Sequence, residues 1–326
     1  MGSGNRSGAR RIALGDDGSR VAAFGFAARA ERAAVPTAAP SPAAILELLK
    51  PITWFPPMWA FACGVVSAGA PMSERWPYAV AGAVLAGPLV CGTSQAVNDW
   101  FDRHVDAINE PDRVVPSGRM PGRSALHVAV VGTGLSGLVA IALGPWVFAA
   151  TLVGLALAWA YSAPPFRLKR DGWVGPGAVG LAYEGLPWFA AAAAVAGGWP
   201  GWPITTVAAL YAAGALGIMT LNDFKAVRGD AALGLRSLPV RYGVRPAAVL
   251  ACLVMAVPQA AVIALLVGWD RPVHSAAVAL LLGAQGLCMA RLLRDPERHA
   301  PWYNASGTGL YVLGMMAAAH ALGSLA

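Results

Sequence analysis

Two short acidic stretches carry the residue types and spacing best suited to chemistry in this chain. The first, NDWFDRHVD, runs from 98 to 106, and a helix across it places Asp99, Asp102 and Asp106 on one face. Like charges at this spacing repel one another, so the face needs a stabilising partner. Mg²⁺ prefers carboxylate oxygen and usually completes its shell with water and substrate phosphate, so it is the partner that we favour. A solvated, acid-rich helix end is the alternative interpretation.

The second stretch, NDFKAVRGD at 222–230, repeats part of the first. It aligns at the Asn-Asp pair and at the final aspartate, whereas Ala226 stands where Asp102 would be matched. The aligned positions are Asn222, Asp223 and Asp230, set against Asn98, Asp99 and Asp106. Both stretches follow long apolar runs, which indicates an internal repeat. Two such faces brought together could hold more than one Mg²⁺ around a diphosphate.

Basic residues near these stretches suit a phosphate-rich ligand. Arg113, Arg119 and Arg123 follow the first stretch in a loop with glycines and prolines, which suits diphosphate capture. For Arg119 and Arg123 we favour the simpler explanation, an excess of positive charge on one side of a membrane. A third segment, YSAPPFRLKRDGW, should lie level with the acidic stretches, where Lys and Arg can clamp the oxygens of a leaving diphosphate. Its candidates are Tyr161, Arg167, Lys169 and Arg170.

Two isolated side chains are further candidates. His104 lies inside the first acidic stretch, and Glu184 lies within the apolar run GLAYEGLPWF. An acid inside a membrane span is costly and marks a functional site by default. A neutral, hydrogen-bonded glutamate facing the helix bundle is the alternative for Glu184.

The composition is that of a membrane protein. The chain has 326 residues, of which 57% are hydrophobic and 13% are charged, and its mean hydropathy is +0.55. These values, together with nine apolar runs long enough to span, predict an all-α, polytopic membrane protein. The predicted spans are 52–70, 77–97, 124–142, 146–162, 174–196, 203–221, 247–268, 272–290 and 302–323.

Charge placement predicts the orientation. With nine spans, all 24 Lys and Arg residues except Arg75 and Arg271 fall on the side of the N-terminus. The positive-inside rule therefore places the N-terminus and both acidic stretches in the cytoplasm and the C-terminus on the opposite side. This asymmetry accounts for the net charge of +7, so no nucleic-acid partner is expected. The four cysteines lie in apolar runs without CxxC spacing and are expected to be small buried hydrophobes.

The domain prediction has two parts. Residues 1–44 are rich in Ala, Gly, Arg, Ser and Pro, lack an apolar signal-peptide core, and predict a disordered cytoplasmic tail. Residues 45–326 predict the transmembrane domain, with a short interfacial helix at 46–50 leading into the first span.

The paired motifs NDxxDxxxD and NDFKAxxGD, with YSAPPFRLK between them, resemble those of the UbiA superfamily of intramembrane prenyltransferases. The resemblance covers about residues 46–323 and implies a bundle of nine transmembrane helices around a central cavity. The strings LLKPITWFPPMWAFACG, GLAYEGLPWF and GIMTLNDFKAV followed by SLPV resemble the chlorophyll synthase branch, and bacteriochlorophyll synthases most closely.

This resemblance implies Mg²⁺-dependent transfer of a geranylgeranyl or phytyl group from its diphosphate to the propionate of a (bacterio)chlorophyllide. It also implies a cytoplasmic or intracytoplasmic photosynthetic membrane as the location. Protein partners are not indicated. By analogy, the metal and diphosphate would be held by Asn98, Asp99, Asp102, Asp106, Asn222, Asp223 and Asp230, and the phosphates by Arg113, Arg167, Lys169 and Lys225. Tyr161, Glu184 and His104 are the candidates for the acceptor side.

Two departures and three rival functions stay open. Ala226 stands where many relatives have an acid, and Arg228 replaces an expected Glu, which adds positive charge near the second metal position. The rivals are a UbiA-type enzyme acting on an aromatic, quinone-precursor or haem acceptor, an ion-coupled transporter, and a pigment-binding scaffold without catalysis. Transporters usually place their acids near the midplane, whereas only Glu184 is deep here.

Overall fold

The computed structural model describes residues 39–325, apart from residues 226 and 233. Most of the predicted tail at 1–44 therefore lies outside the described residues, as does Ala226, and the side chain of Arg228 is not described either. Within the described part of the chain the regular structure is helical and no β-strand occurs. A single β-bridge joins Asp171 to Arg236.

Fourteen α-helices are numbered here in chain order. They are α1 (Pro42–Leu49), α2 (Phe55–Ser67), α3 (Met72–Val84), α4 (Gly92–Asn109), α5 (Ser124–Leu143), α6 (Pro145–Ser162), α7 (Val174–Gly180), α8 (Leu186–Ala196), α9 (Trp202–Asp223), α10 (Val227–Ala232), α11 (Leu238–Tyr242), α12 (Val244–Gly268), α13 (Pro272–Leu292) and α14 (Pro296–Gly323). Two π-helical segments, Leu85–Cys91 and Leu181–Gly185, join α3 to α4 and α7 to α8.

The first helix begins earlier than the sequence suggested. α1 starts at Pro42, within the stretch assigned to the tail, because the Ser41 hydroxyl caps it by accepting a hydrogen bond from the backbone N–H of Ala44 at 3.2 Å. It ends at Lys50, whose backbone has a left-handed conformation with φ of 46°. After this sharp turn the Lys50 side chain reaches α4.

Seven helical stretches among the described residues are long and apolar enough to cross a membrane. They are 72–109, 124–143, 145–162, 174–196, 202–223, 244–268 and 272–292. The other two predicted spans fall on α2 and α14. α2 has 13 residues, or about 20 Å at 1.5 Å per residue, which is shorter than a bilayer core of about 30 Å. α14 has 28 residues, but its first turns carry charged and polar side chains. The chain is a multi-pass membrane protein, and the count of nine spans stays a prediction.

Close backbone packing holds the bundle together. A Cβ on Gly217 of α9 would lie 2.5 Å from the carbonyl oxygen of Ala251 on α12, so only glycine fits at this crossing. Farther along, a buried polar chain joins α12, α13 and α14. Gln259 donates to the side-chain oxygen of Gln285 at 2.7 Å, and Gln285 donates to the hydroxyl of Tyr303 at 3.0 Å. This half of the bundle forms a rigid wall behind the second acidic stretch.

Candidate active site

The three carboxylates of the first acidic stretch lie on α4, and each one contacts a basic side chain. Asp99 and Asp106 are buried, whereas Asp102 is half-buried. Their partners are Lys50, Arg113 and Lys169, from three separate segments of the chain. The repulsion expected among these carboxylates is thus offset by three basic side chains.

Lys50 is a site residue that the sequence reasoning missed. Its Nζ lies 2.6 Å from Oδ1 of Asp99, whose side chain is 2% exposed. An almost fully buried carboxylate is stable only with a paired charge and hydrogen bonds. This contact therefore holds the turn at Lys50, between α1 and α2, against α4. The basic residue just before the first apolar run was the available signal.

Arg113 bridges two of the carboxylates. Its Nη1 lies 3.0 Å from Oδ2 of Asp106 and 3.8 Å from Oδ1 of Asp99, and its Nε pairs with Glu110. Partial burial would lower the pKa of the Arg113 guanidinium, but the contacts with Glu110, Asp106 and Asp99 outweigh it and raise that pKa overall. Arg113 therefore remains a fixed positive charge beside the acidic face. Arg119, by contrast, forms an exposed salt bridge with Glu47, which joins the loop between α4 and α5 to α1.

Lys169 reaches Asp102 from the segment after α6. Its Nζ pairs with Oδ1 of Asp102, while Asn98 donates to the other oxygen of that carboxylate at 2.9 Å. The Asn98 amide also donates to the Ser162 hydroxyl at 3.1 Å. Asp102 is thereby tied to α6 as well as to the Lys169 segment.

The second acidic stretch lies across the bundle at the end of α9. Asn222 and Asp223 close α9, and Asp230 lies in the short helix α10. Both Asp223 and Asp230 are half-buried. Burial raises the pKa of Asp230, which increases the cost of leaving its charge without a cation.

Asn304 on α14 is a second residue that the sequence reasoning missed. Its Nδ2 donates to the side-chain oxygen of Asn222 at 2.8 Å, and its own Oδ1 is buried without a hydrogen-bond partner among the described residues. Asn304 lies in the last predicted span, 302–323, where the sequence analysis named no candidate site residue. The hydrogen bond from Asn304 orients the Asn222 side chain, and the Oδ1 of Asn304 can accept a further hydrogen bond.

An apolar cavity of about 300 Å³ lies between the two acidic stretches. Asn98 and Tyr161 line it beside the first stretch and Met219 beside the second, while Phe61 and Ala190 lie among its apolar walls. Residues of both π-helical segments also form its walls, and such segments are common at functional sites. The cavity therefore offers a hydrophobic chamber with polar groups at one end.

One polar contact is built into the cavity wall. Gln95 donates through Nε2 to the hydroxyl of Tyr183 at 2.9 Å, and both residues line the cavity. Tyr161, near the end of α6, lines the cavity together with Asn98 of the first acidic stretch.

The remaining predicted site residues take no part in the contacts described above. His104 is exposed, and Glu184 is buried but is not among the residues that line the cavity. One carboxyl oxygen of Glu184 has no hydrogen-bond partner among the described residues. Arg167 and Lys225 have no ion pair with an acid in the described part of the chain, and Lys225 is exposed.

The donor set fits a hard divalent cation by its chemistry. Both stretches contribute carboxylate and amide oxygens, which are the ligands that Mg²⁺ prefers. Among the described residues no three His, Cys, Asp or Glu side chains already converge into a metal-binding group. The carboxylates of α4 instead hold the cationic groups of Lys50, Arg113 and Lys169. These contacts show directly that the face attracts positive charge.

Comparison with known proteins identifies the family. The model of the UbiA prenyltransferase family matches residues 53–316, and the chain belongs to this family of membrane prenyltransferases. A curated relative named bacteriochlorophyll synthase 33 kDa chain, from Cereibacter sphaeroides, is 59% identical over 89% of this chain and 96% of its own length. The chlorophyll synthase of Arabidopsis thaliana is 37% identical over 84% of this chain and 73% of its own length.

Solved structures agree on the fold. One, of a digeranylgeranylglyceryl phosphate synthase, superposes with a TM-score of 0.69 at 18% identity, over 85% of this chain and 98% of that one. A UbiA homolog from Archaeoglobus fulgidus bound to GPP and Mg²⁺ gives a TM-score of 0.60 at 20% identity, over 82% of this chain and 99% of that one. The expected superfamily and its chlorophyll synthase branch are confirmed, and the transporter interpretation is replaced by an enzyme.

Proposed function

We propose that this prenyltransferase has bacteriochlorophyll synthase activity, joining a geranylgeranyl or phytyl group to the propionate of bacteriochlorophyllide and releasing diphosphate. The acceptor assignment is supported by the high identity to relatives that carry this name. The observation that carries the chemistry is the group of paired acidic and basic side chains on α4, which Asn98 connects to the apolar cavity by lining it and by donating a hydrogen bond to Asp102.

The donor would bind with its chain in the cavity and its diphosphate at the polar end. The cavity walls are apolar, so burying a prenyl chain there is favourable at roughly 25 cal/mol per Å² of apolar surface. Lys50, Arg113 and Lys169, which pair with the carboxylates of α4, would provide charge-assisted hydrogen bonds to phosphate oxygens. Arg167 and Lys225 would add charge from adjacent segments.

Mg²⁺ would be held by the oxygens of both acidic stretches. These are Asn98, Asp99, Asp102, Asp106, Asn222, Asp223 and Asp230. When bound, the ion neutralises the charge that develops on the departing diphosphate. Asn304 would keep the Asn222 amide in place, and Arg113 would hold Asp99 and Asp106 in register along α4.

The reaction breaks the bond between C1 of the prenyl group and the diphosphate oxygen, and forms a bond from C1 to a propionate oxygen. Basic side chains stabilise the negative charge of the leaving group in a site screened from water. A propionate with a pKa of about 4 is already ionised at neutral pH, so no general base has to remove a proton. Tyr161, which lines the cavity together with Asn98, would contact the reacting groups.

The membrane arrangement belongs to the same proposal. We place the catalytic domain at 45–326, with nine spans, a cytoplasmic N-terminus, and the acidic stretches at the cytoplasmic surface of a photosynthetic membrane. A reporter after Ala326 should then lie outside the cytoplasm, and one in place of the N-terminal tail should lie inside. Both reporters on one side would contradict the count of nine.

An assay with defined substrates tests the function. Membranes containing the chain would receive Mg²⁺, geranylgeranyl or phytyl diphosphate, and bacteriochlorophyllide, chlorophyllide or an aromatic acid as acceptor. We expect esterified bacteriochlorophyllide of the corresponding mass, and none with the Asp99→Ala variant. Prenylation of the aromatic acid without pigment ester would favour the other acceptor class of this family.

A further inference from the structure

A surface groove of about 600 Å³ lies on the outside of the bundle, away from the catalytic cavity. The segment after α6 contributes Trp173, α11 contributes Tyr242, and α12 contributes Arg245, Val249 and Leu253. None of these residues lines the central cavity. Because α11 and α12 follow the second acidic stretch directly, the groove opens at the end of the bundle that holds this stretch.

The groove is polar at one end and apolar along its length. Arg245 lies in the first turn of α12, and Val249 and Leu253 follow at i+4 and i+8, on the same face of the helix. Val249 is 41% exposed and Leu253 is 54% exposed. At 1.5 Å per residue this face descends about 12 Å from the guanidinium into the apolar part of a membrane-crossing helix.

An aromatic pair marks the polar end as a membrane interface. The indole N–H of Trp173 donates to the hydroxyl of Tyr242 at 3.4 Å, and the Tyr242 side chain is 44% exposed. Tryptophan and tyrosine are enriched at the level of lipid headgroups, because one end of each ring system is apolar and the other is polar. The groove therefore spans the depth of a headgroup and the start of its chain.

The charge at the polar end is positive. Arg241 lies over the ring of Tyr242 at 5.3 Å from its centre, and Arg245 is exposed next to it. Neither arginine forms an ion pair with an acid in the described part of the chain. The nearby Asp171 accepts hydrogen bonds from the backbone N–H groups of Trp173 and Val174 at 2.9 and 3.0 Å, so it is engaged in capping α7.

We propose that this groove binds an anionic phospholipid. Its phosphate would lie at Arg241 and Arg245, and one acyl chain would follow Val249 and Leu253. A zwitterionic lipid also offers a phosphate, but its quaternary ammonium group opposes the positive charge of the two arginines. An anionic lipid carries a net negative charge that matches Arg241 and Arg245, and basic residues at a membrane surface attract such lipids.

The groove is connected to the active site through backbone hydrogen bonds. Gly172 donates to the carbonyl of Arg236 at 3.0 Å, and Arg236 donates to the carbonyl of Arg170 at 3.1 Å. Lys169, the partner of Asp102, is the next residue along that segment. A lipid held against Trp173 and Tyr242 would therefore stabilise the segment that carries Lys169.

Native mass spectrometry of the full chain in detergent tests the proposal by counting bound lipid. Phosphatidylglycerol and phosphatidylcholine with identical acyl chains would be titrated separately. We expect tight binding of one phosphatidylglycerol and weaker binding of phosphatidylcholine. Arg245→Gln should weaken phosphatidylglycerol binding about fivefold, the equivalent of about 1 kcal/mol, while Arg245→Lys should retain it.

The matched control is Arg294→Gln. Arg294 is exposed between α13 and α14, at the same end of the bundle, since Asn304 of α14 contacts Asn222 there. This variant should bind phosphatidylglycerol as the unmodified protein does. Equal losses in Arg245→Gln and Arg294→Gln, or equal binding of the two lipids, would overturn the proposal. So would displacement of the lipid by geranylgeranyl diphosphate, which would make the groove a donor site.

Discussion

Replacing Lys50 with methionine removes a positive charge while keeping a side chain of similar length. The Lys50 ammonium lies 2.6 Å from Asp99, and the side chains are 26% and 2% exposed, respectively. We expect two separable effects. The protein becomes less stable, because a buried carboxylate loses its nearest partner. Catalysis also slows, because a positive charge at the proposed diphosphate site is lost.

The sizes of the two effects differ. Opposite unit charges about 4 Å apart attract by about 4 kcal/mol at an effective dielectric constant of 20. Solvent at the exposed face of Lys50 and the second cation, Arg113 at 3.8 Å from the same oxygen, reduce the loss of stability to about 1–2 kcal/mol. Removal of one preorganised donor from a developing oxyanion typically lowers kcat about 10²–10³-fold. The catalytic loss should therefore exceed the stability loss.

Steady-state kinetics on folded, detergent-solubilised protein would separate them. Lys50→Met should lower kcat/KM for the prenyl diphosphate about 10²-fold or more, and Lys50→Arg should recover part of this loss. Arg119→Gln is the matched control, because Arg119 pairs with Glu47 on the exposed side of the same region and should change neither quantity appreciably. A Lys50→Met protein with a reduced Tm but unchanged kcat/KM would refute the catalytic role.

Three further perturbations test the rest of the site. Asp223→Ala should abolish Mg²⁺-dependent turnover without loss of membrane insertion, as measured by pigment esterification in membranes, and near-normal activity would reject the two-stretch site. Asn304→Leu removes the 2.8 Å hydrogen bond to Asn222, so it should lower kcat/KM about 5–10-fold and raise the Mg²⁺ concentration that gives the half-maximal rate. An unchanged Mg²⁺ titration would contradict this expectation. Deletion of residues 2–38 should leave activity largely intact, and complete loss in inserted protein would give the tail a role.

Much of the fold could be predicted from the sequence because membrane helices depend on local properties. Apolar runs of about 20 residues bounded by charge identify a spanning helix without tertiary information, and all seven stretches in the structure overlap predicted spans. The other two predicted spans, which stay predictions, correspond to helices whose bounds differ from the hydropathy pattern for identifiable reasons. α2 is limited by the Lys50 turn and begins at Phe55, and α14 extends back to Pro296 through charged residues that the hydropathy pattern excluded.

The acidic stretches were visible in the sequence because their residues share one helical period, whereas their partners were not. Lys50 is 49 positions from Asp99, and Asn304 is 82 positions from Asn222. Such contacts depend on the crossing of helices, which no local pattern encodes. Glu184 shows another limit of local patterns. An isolated acid in an apolar run predicts a functional residue, but it does not indicate which helix face meets the cavity, and Glu184 is not among the residues that line it.

The acidic face of α4 places a condition on the rest of the chain. Asp99, Asp102 and Asp106 can be held on one side of a helix at the bundle surface only if positive charge arrives from elsewhere, and it comes from three different segments. Those segments supply basic side chains, which are the groups that a diphosphate would require. Carboxylates and phosphates therefore share Lys50, Arg113 and Lys169, so a bound donor must draw these side chains partly away from α4. A divalent cation at the carboxylates is then the natural replacement, and donor and metal should each strengthen the binding of the other.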